Sequence, residues 1–289
     1  MRLATLINNG QEVAAIELQD GFHALPFGDV GALLRANAVR ADVNNATIGF
    51  IGTRDAVRFA PLILRPGKII CVGLNYRSHI RELGMAEPRF PALFAKYTNS
   101  LIGANETIEI PLVTSALDWE AELVVVVGST RSAYETRQPR EAIAGYTVGN
   151  DVSARDLQLR TDQWLAGKTL DRSTPLGPVL VTAEEFGEGD PDLLIRAELN
   201  GEVVQEARTS DLLFKPESLI EDISRFCTLE PGDVIFTGTP AGVGAGRRPP
   251  RFLQEGDVLI TSIESIGTCR NVVATGSRGI NRAAGENAK

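Results

Sequence analysis

Two acids stand at the mouth of an apolar run in Leu117-Asp118-Trp119-Glu120-Ala121-Glu122-Leu123-Val124-Val125-Val126-Val127-Gly128, and no other feature limits the possible folds of this chain as much. A valine-rich run of this kind reads as a β-strand. Residues i and i+2 of a strand point to the same face, so Glu120 and Glu122 share one side and lie close enough to repel. Two like charges at that range are unfavourable unless something neutralises them. A hard divalent cation does so, because carboxylate oxygens are its preferred ligands. The plain alternative is a solvent-exposed strand end carrying two harmless acids.

Further β-like runs lie at 68–72, 122–127, 178–182, 193–199, 233–237 and 257–263, separated by turns such as Glu230-Pro231-Gly232-Asp233 and Glu255-Gly256-Asp257. Asn9-Gly10 and Asn200-Gly201 sit between β-like segments and predict tight hairpins. Helical patches are fewer: 30–43, 76–83, 136–142, 154–164 and 216–226, the last with Leu219, Ile220, Ile223 and Phe226 at helical spacing. Strands interrupted irregularly by short helices do not make a βαβ rhythm. The expected class is therefore β-rich α+β, a mixed sandwich or rolled barrel. Pro61 and Arg65-Pro66-Gly67 punctuate a junction. It divides the chain into a small N-terminal α/β domain over 1–65, a larger domain over 66–275, and a Gly-, Ala- and charge-rich tail over 276–289 expected to fray.

The 289 residues suffice to bury a core without staples. Lys plus Arg is 29 against 37 Asp plus Glu, a net charge of −8 without a basic domain, which argues against a nucleic-acid partner. Cys71, Cys227 and Cys269 are too few, and odd in number, for a disulfide framework. They point to a reducing, cytoplasmic setting, with Cys71 a buried thiol in an apolar run. The N-terminus lacks the apolar core of a signal peptide, and no apolar segment approaches the ~20 residues of a membrane span.

Four more segments carry candidate chemistry. Asp151 follows the β-type run 145–150 and precedes a helical patch, so it is either a third carboxylate for the site or a helix N-cap, a task Ser153 fits equally. His79 and Glu82 stand at i, i+3 in Asn75-Tyr76-Arg77-Ser78-His79-Ile80-Arg81-Glu82. On a helix they can hydrogen-bond, and a carboxylate that holds an imidazole makes it a general base; otherwise they form a weak surface ion pair. Lys168, beside Gly167 and ahead of a Pro/Gly-framed turn, can reach an anionic substrate or be an ordinary surface lysine. The glycine-rich stretch 236–246 is no dinucleotide loop, because Arg247-Arg248-Pro249-Pro250 follows where a helix would have to start. It reads instead as a turn that brings Thr239 and backbone amides to a ligand.

Together these segments resemble the fumarylacetoacetate hydrolase superfamily. The resemblance runs from about Lys68 to Val273. It rests on V-G-L-N-Y-x-x-H-x-x-E at 72–82, D-W-E-A-E-L at 118–123, G-Y-T-V-G-N-D-V-S-A-R-D-L-Q at 145–158, G-K-T-L-D-R-S-T-P-L-G-P at 167–178 and T-G-T-P-A-G-V-G at 237–244. The short N-terminal unit is most similar to the fumarylacetoacetate-hydrolase-domain-containing group. The resemblance implies a mixed β-roll, a homodimer, and Mg²⁺ or Mn²⁺ held by Glu120, Glu122 and Asp151. It implies a water-activating pair in His79 and Glu82, on a segment that is a mobile lid in relatives. It also implies substrate or oxyanion contacts from Tyr76, Arg155, Gln158, Lys168 and Thr239. Arg172 adds a charge that many relatives lack, with an expected effect on substrate preference.

The activity so implied is metal-dependent hydrolysis of a C–C bond in a 2,4-dioxo acid or related β-diketone, giving a 2-oxo acid and a carboxylate. Oxaloacetate decarboxylation and isomerisation of an unsaturated dioate share the same enolate chemistry. Two other readings differ in kind: a lyase whose Lys168 forms a Schiff base with the substrate, and a catalytically idle, metal-stabilised dimer.

Overall fold

A computed structural model describes residues 1–38, 46–135 and 137–276. The chain opens as a meander of β1 (Arg2–Asn8), β2 (Gln11–Leu18) and β3 (Gly21–Ala24), followed by helix α1 (Val30–Arg35), β4 (Gly49–Gly52) and β5 (Arg58–Phe59). Then come β6 (Ile69–Gly73), α2 (Arg77–Glu82), β7 (Ala92–Ala95), β8 (Leu101–Ile102), β9 (Ile108–Ile110), β10 (Leu117–Asp118), β11 (Ala121–Val127) and β12 (Ile143–Asn150). The remainder is β13 (Ser153–Ala154), α3 (Arg155–Gln158), α4 (Leu165–Lys168), β14 (Thr174–Thr182), β15 (Leu194–Leu199), β16 (Glu202–Arg208), α5 (Pro216–Ser224), β17 (Val234–Phe236), β18 (Val258–Ile263) and β19 (Gly267–Thr275).

The strands form one long mixed sheet in the order β4-β3-β2-β1-β14-β12-β11-β17-β6-β7, with β5 added to β1 and β8 to β14. A second sheet, β16-β15-β18-β19-β9, packs across β11, β12 and β14, and β10 pairs with β13. The fold is therefore β-rich α+β, as expected. The valine run of β11 is apolar throughout because both of its faces are covered. Leu123, Val125 and Val127 point into the core between the sheets, and Val124 and Val126 into a second core with Leu33, Leu34 and Phe236. The N-terminal strands continue the long sheet through β1, whose Arg2 and Leu3 pair with Val181 and Leu180 of β14. The chain thus crosses the expected junction near residue 65 inside one sheet.

Both asparagine–glycine hairpins form as two-residue turns with left-handed backbone: Asn9 and Gly10 at φ 50° and 79°, Asn200 and Gly201 at φ 53° and 85°. Two expected helical patches shrink. Of the described residues in 136–142 only a 3-10 turn at Pro139–Ala142 forms, and of 154–164 only α3 is helical, followed by a polar turn before α4 begins at Leu165. There the Thr161 hydroxyl donates to Gln163 O and accepts from Gln163 N, giving the backbone an alternative to helical bonding. Residues 39–43 of the patch 30–43, Thr136 of the patch 136–142, and residues 277–289 of the expected tail lie outside the described residues. The three cysteines are free, and no helix among the described residues is long and apolar enough to cross a membrane.

Candidate active site

Glu120 precedes β11 by one residue and Glu122 lies inside it; Asp151 follows β12, the antiparallel neighbour of β11. Asp151 N donates to Glu120 O at 2.9 Å, which locks the two segments together. One oxygen from each of the three carboxylates lies within 4.8 Å of the others, and all three residues are buried. Asp151 is not a helix cap. Ala154 occupies the N-cap of α3 without a side-chain bond, and the Ser153 hydroxyl donates to Asp151 O instead.

Cations surround this cluster unevenly. Lys168 Nζ donates to Glu120 Oε2 at 2.6 Å and to Asp151 Oδ2 at 2.8 Å. Arg155 reaches Glu120 Oε1 at 2.6 Å and Asp118 Oδ2 at 2.8 Å. Lys96, whose side chain is fully buried, donates to Asp151 Oδ1 at 2.6 Å. Burial alone would raise the Glu120 pKa, but Lys168 and Arg155 outweigh it and hold the group down at about 2. Lys168 shifts the other way. Burial disfavours its charge, yet Asp151 and Glu120 more than compensate, and the amine stays firmly an ammonium.

Glu122 is the exception. It is buried, and burial together with Asp151 and Glu120 pushes its carboxyl well above the usual range. Gly238 N donates to its Oε2 at 2.6 Å, and no Lys or Arg pairs with it among the described residues. The four acids Asp118, Glu120, Glu122 and Asp151 thus face the three cations Lys96, Arg155 and Lys168, and the uncompensated charge sits on Glu122. An all-oxygen donor set with an excess negative charge fits a hard divalent cation such as Mg²⁺ or Mn²⁺.

A cavity of about 290 Å³ opens onto this cluster, lined by His79, Glu120, Glu122, Arg155, Gln158, Lys168 and Thr239 among others. On α2, His79 Nδ1 lies 2.9 Å from Glu82 Oε2, and the imidazole is 11% exposed, so the pair is more than a surface contact. Gln158 Oε1 accepts from Arg155, which leaves its amide NH₂ as a donor. The Thr239 hydroxyl donates to Ala121 O and accepts from Gln205, so its hydrogen is already engaged within the protein.

Tyr76, Arg172 and the glycine-rich turn are engaged within the protein. Tyr76 does not line the cavity: its ring lies fully in the core, and its hydroxyl has no partner among the described residues. Arg172 pairs with Glu109 at 2.6 Å and is not among the residues lining the cavity. Four amides of the glycine-rich turn serve protein acids. Gly238 N goes to Glu122, Gly242 N to Glu82, and Gly244 N and Ala245 N to Asp118. Gly238 has φ +98°, and a Cβ there would stand 2.9 Å from Val72 O, so the turn requires glycine.

Lys96 and Asp118 are residues that sequence reasoning passed over. Asp118 stood inside the D-W-E-A-E-L segment, and it orients Arg155 while accepting three backbone amides, from Trp119, Gly244 and Ala245. Lys96 carried no local signal. Only its place at the end of β7 brings it to Asp151.

A model of the fumarylacetoacetate hydrolase C-terminal family matches residues 68–274. The human mitochondrial protein named oxaloacetate tautomerase FAHD2A is 44% identical over 223 residues, covering 76% of this chain and 70% of that one. The structure of fumarylacetoacetate hydrolase from Exiguobacterium antarcticum superposes with a TM-score of 0.84 at 35% identity, covering 96% of this chain and all of that one. The fumarylpyruvate hydrolase of Pseudomonas aeruginosa, solved with Mn²⁺ and pyruvate, superposes with a TM-score of 0.65 at 30% identity over 75% of this chain and 97% of its own.

Proposed function

This chain belongs to the fumarylacetoacetate hydrolase family, and from that membership we propose that it cleaves a C–C bond in a 2,4-dioxo acid by metal-dependent hydrolysis. The observation that carries this reading is His79, held 2.9 Å from Glu82 on the wall of the cavity that Glu120 and Glu122 also line. Glu120, Glu122 and Asp151 would hold a divalent cation, which would supply Lewis acidity toward the negative charge that builds on the 2-oxo acid portion.

The protein's own groups do the rest. Glu82 accepts from Nδ1–H of His79 and leaves Nε2 as the base. Nε2 takes a proton from water, and the hydroxide adds to the carbonyl at C4. Lys168 has given two of its three N–H bonds to Glu120 and Asp151, and the third is available to the C4 oxyanion. The Gln158 amide is the second donor, and such donors are typically worth ~3 kcal/mol each. The C3–C4 bond then breaks, C3 recovers the proton from Nε2–H, and a 2-oxo acid and a carboxylate leave. Lys168 is unsuited to Schiff-base formation, because its two carboxylate partners keep the amine protonated.

Oxaloacetate tautomerisation is the second reading, favoured by the name of the 44% identical human relative. It needs no water, only a proton moved by His79 Nε2 between C3 and the 2-oxygen. Acetylpyruvate and oxaloacetate, each assayed with Mg²⁺, with Mn²⁺ and with EDTA, separate the two. Pyruvate plus acetate from acetylpyruvate supports hydrolysis; loss of the oxaloacetate enol absorbance without acetylpyruvate cleavage supports the second reading. His79→Ala should lower kcat by roughly 10²- to 10⁴-fold while Mn²⁺ still binds. Unchanged turnover in that variant refutes the dyad, and no turnover by the wild type leaves the idle dimer as the better description.

A further inference from the structure

We propose that the substrate carries an uncharged, apolar tail beyond its 2-oxo acid head, so that the site discriminates against a second carboxylate. The inference rests on the 2-oxo acid reading above and adds the chemical class of the rest of the molecule.

The cavity lining is of two kinds. Beside its charged groups it carries the apolar side chains Leu74, Leu83, Met85, Phe94, Leu159 and Trp164. Phe94 and Trp164 meet edge to face, with ring centroids 5.4 Å apart. Lys168 Nζ lies 4.9 Å from the Phe94 centroid, so the aromatic wall begins directly beside the lysine assigned to the oxyanion. The indole can lie there because residue 73 is glycine; a Cβ at Gly73 would stand 2.5 Å from its ring. At the opening, Leu83, Met85 and Leu159 are 46%, 50% and 76% exposed. Apolar side chains kept in water at a cavity mouth mark a binding surface.

Charge leads to the same conclusion. Among the described residues, Arg155 and Lys168 are the lysines and arginines that line the cavity. Arg155 is matched by Asp118 and Glu120, and Lys168 by Glu120 and Asp151. With a divalent cation offsetting Glu122, one substrate carboxylate finds compensation. A second, set against the leucine, methionine and aromatic carbon of the lining, would be desolvated without a counter-charge. A hydrocarbon tail gains there instead, about three- to fourfold in affinity per buried methylene. Oxaloacetate, the compound in the human relative's name, carries that second carboxylate.

Calorimetric titration of the full chain loaded with Mn²⁺ tests this, using pyruvate, 2-oxobutanoate, 2-oxohexanoate and 2-oxoadipate. The expected result is 2-oxohexanoate binding at least tenfold tighter than 2-oxoadipate, and affinity rising about threefold per methylene through the monoacids. Equal or tighter binding of 2-oxoadipate overturns the apolar tail while leaving the 2-oxo acid head intact. If none of the four binds, the head reading fails and this inference fails with it. Leu159→Arg, at the exposed rim, should shift the 2-oxohexanoate to 2-oxoadipate ratio at least tenfold toward the diacid. An unchanged ratio in a variant that melts like the wild type argues against the proposal. Leu83→Lys repeats the test should Leu159→Arg fold poorly.

Discussion

At the scale of single residues, Glu122 concentrates the physics of the site. It is buried beside two like charges, with a backbone amide as donor, and other side chains neutralise those neighbours first. Such an arrangement destabilises the metal-free fold in favour of cation binding. Glu122→Gln keeps the shape and the Gly238 contact but removes the charge. In EDTA the variant should therefore be more stable than the wild type, by about 0.5–2 kcal/mol, as read by chemical denaturation. A lower stability in EDTA would show that the carboxylate is compensated in a way the geometry does not reveal. The Glu120–Glu122 pair was legible in the sequence because i, i+2 spacing in a strand is a local rule. Lys96 and the amides around Asp118 were not, since Gly244 lies 126 residues from Asp118 and Asp151 55 from Lys96. Tyr76 shows the converse: it sits in the strongest motif, and packing turns it into the core.

Among the elements, the N-terminal meander is held by one carboxylate. Glu17, at the end of β2, accepts from Arg2 Nε at 2.8 Å and from Arg54 Nε at 2.9 Å. Arg2 then reaches across to the carbonyls of Ser265 and Ile266 in the β18–β19 turn, which ties the two sheets. Burial would raise the Glu17 pKa, but Arg54 and Arg2 bring it below the usual 4.5. A lowered folded-state pKa contributes stability above the unfolded value, and that stability is lost as the pH falls through the folded-state pKa. Glu17→Gln should therefore lower the melting temperature at pH 7 and lower it by less at pH 3. An equal loss at both pH values would assign Glu17 a packing role instead. The hairpins at Asn9-Gly10 and Asn200-Gly201 were readable because turn type depends on two adjacent residues. The end of α3 at Gln158, well short of Trp164, was not, because the Thr161–Gln163 bonds compete with helical bonding.

For the whole molecule, metal binding at this site would be linked to folding. The three carboxylates come from two segments that approach only when β11 and β12 pair, so a cation held there would bind the folded chain and not the unfolded one. Mn²⁺ or Mg²⁺ at a hundredfold excess over its Kd should stabilise the fold by about 2.7 kcal/mol and raise Tm by roughly 5 °C. EDTA should reverse the shift, and Glu122→Gln should not show it; a wild-type Tm indifferent to both metals would remove the cation from the site. The sequence by itself determined the β-rich class, the hairpin turns and the identity of the acids, because strand periodicity and turn chemistry act over a few residues. Only the tertiary structure decided which cations answer which acids, that the glycine-rich turn braces Glu82, Glu122 and Asp118, and that apolar side chains share the cavity lining with the charged groups. Those are properties of contacts between segments distant along the chain, and the sheet register sets them through packing that no local pattern records.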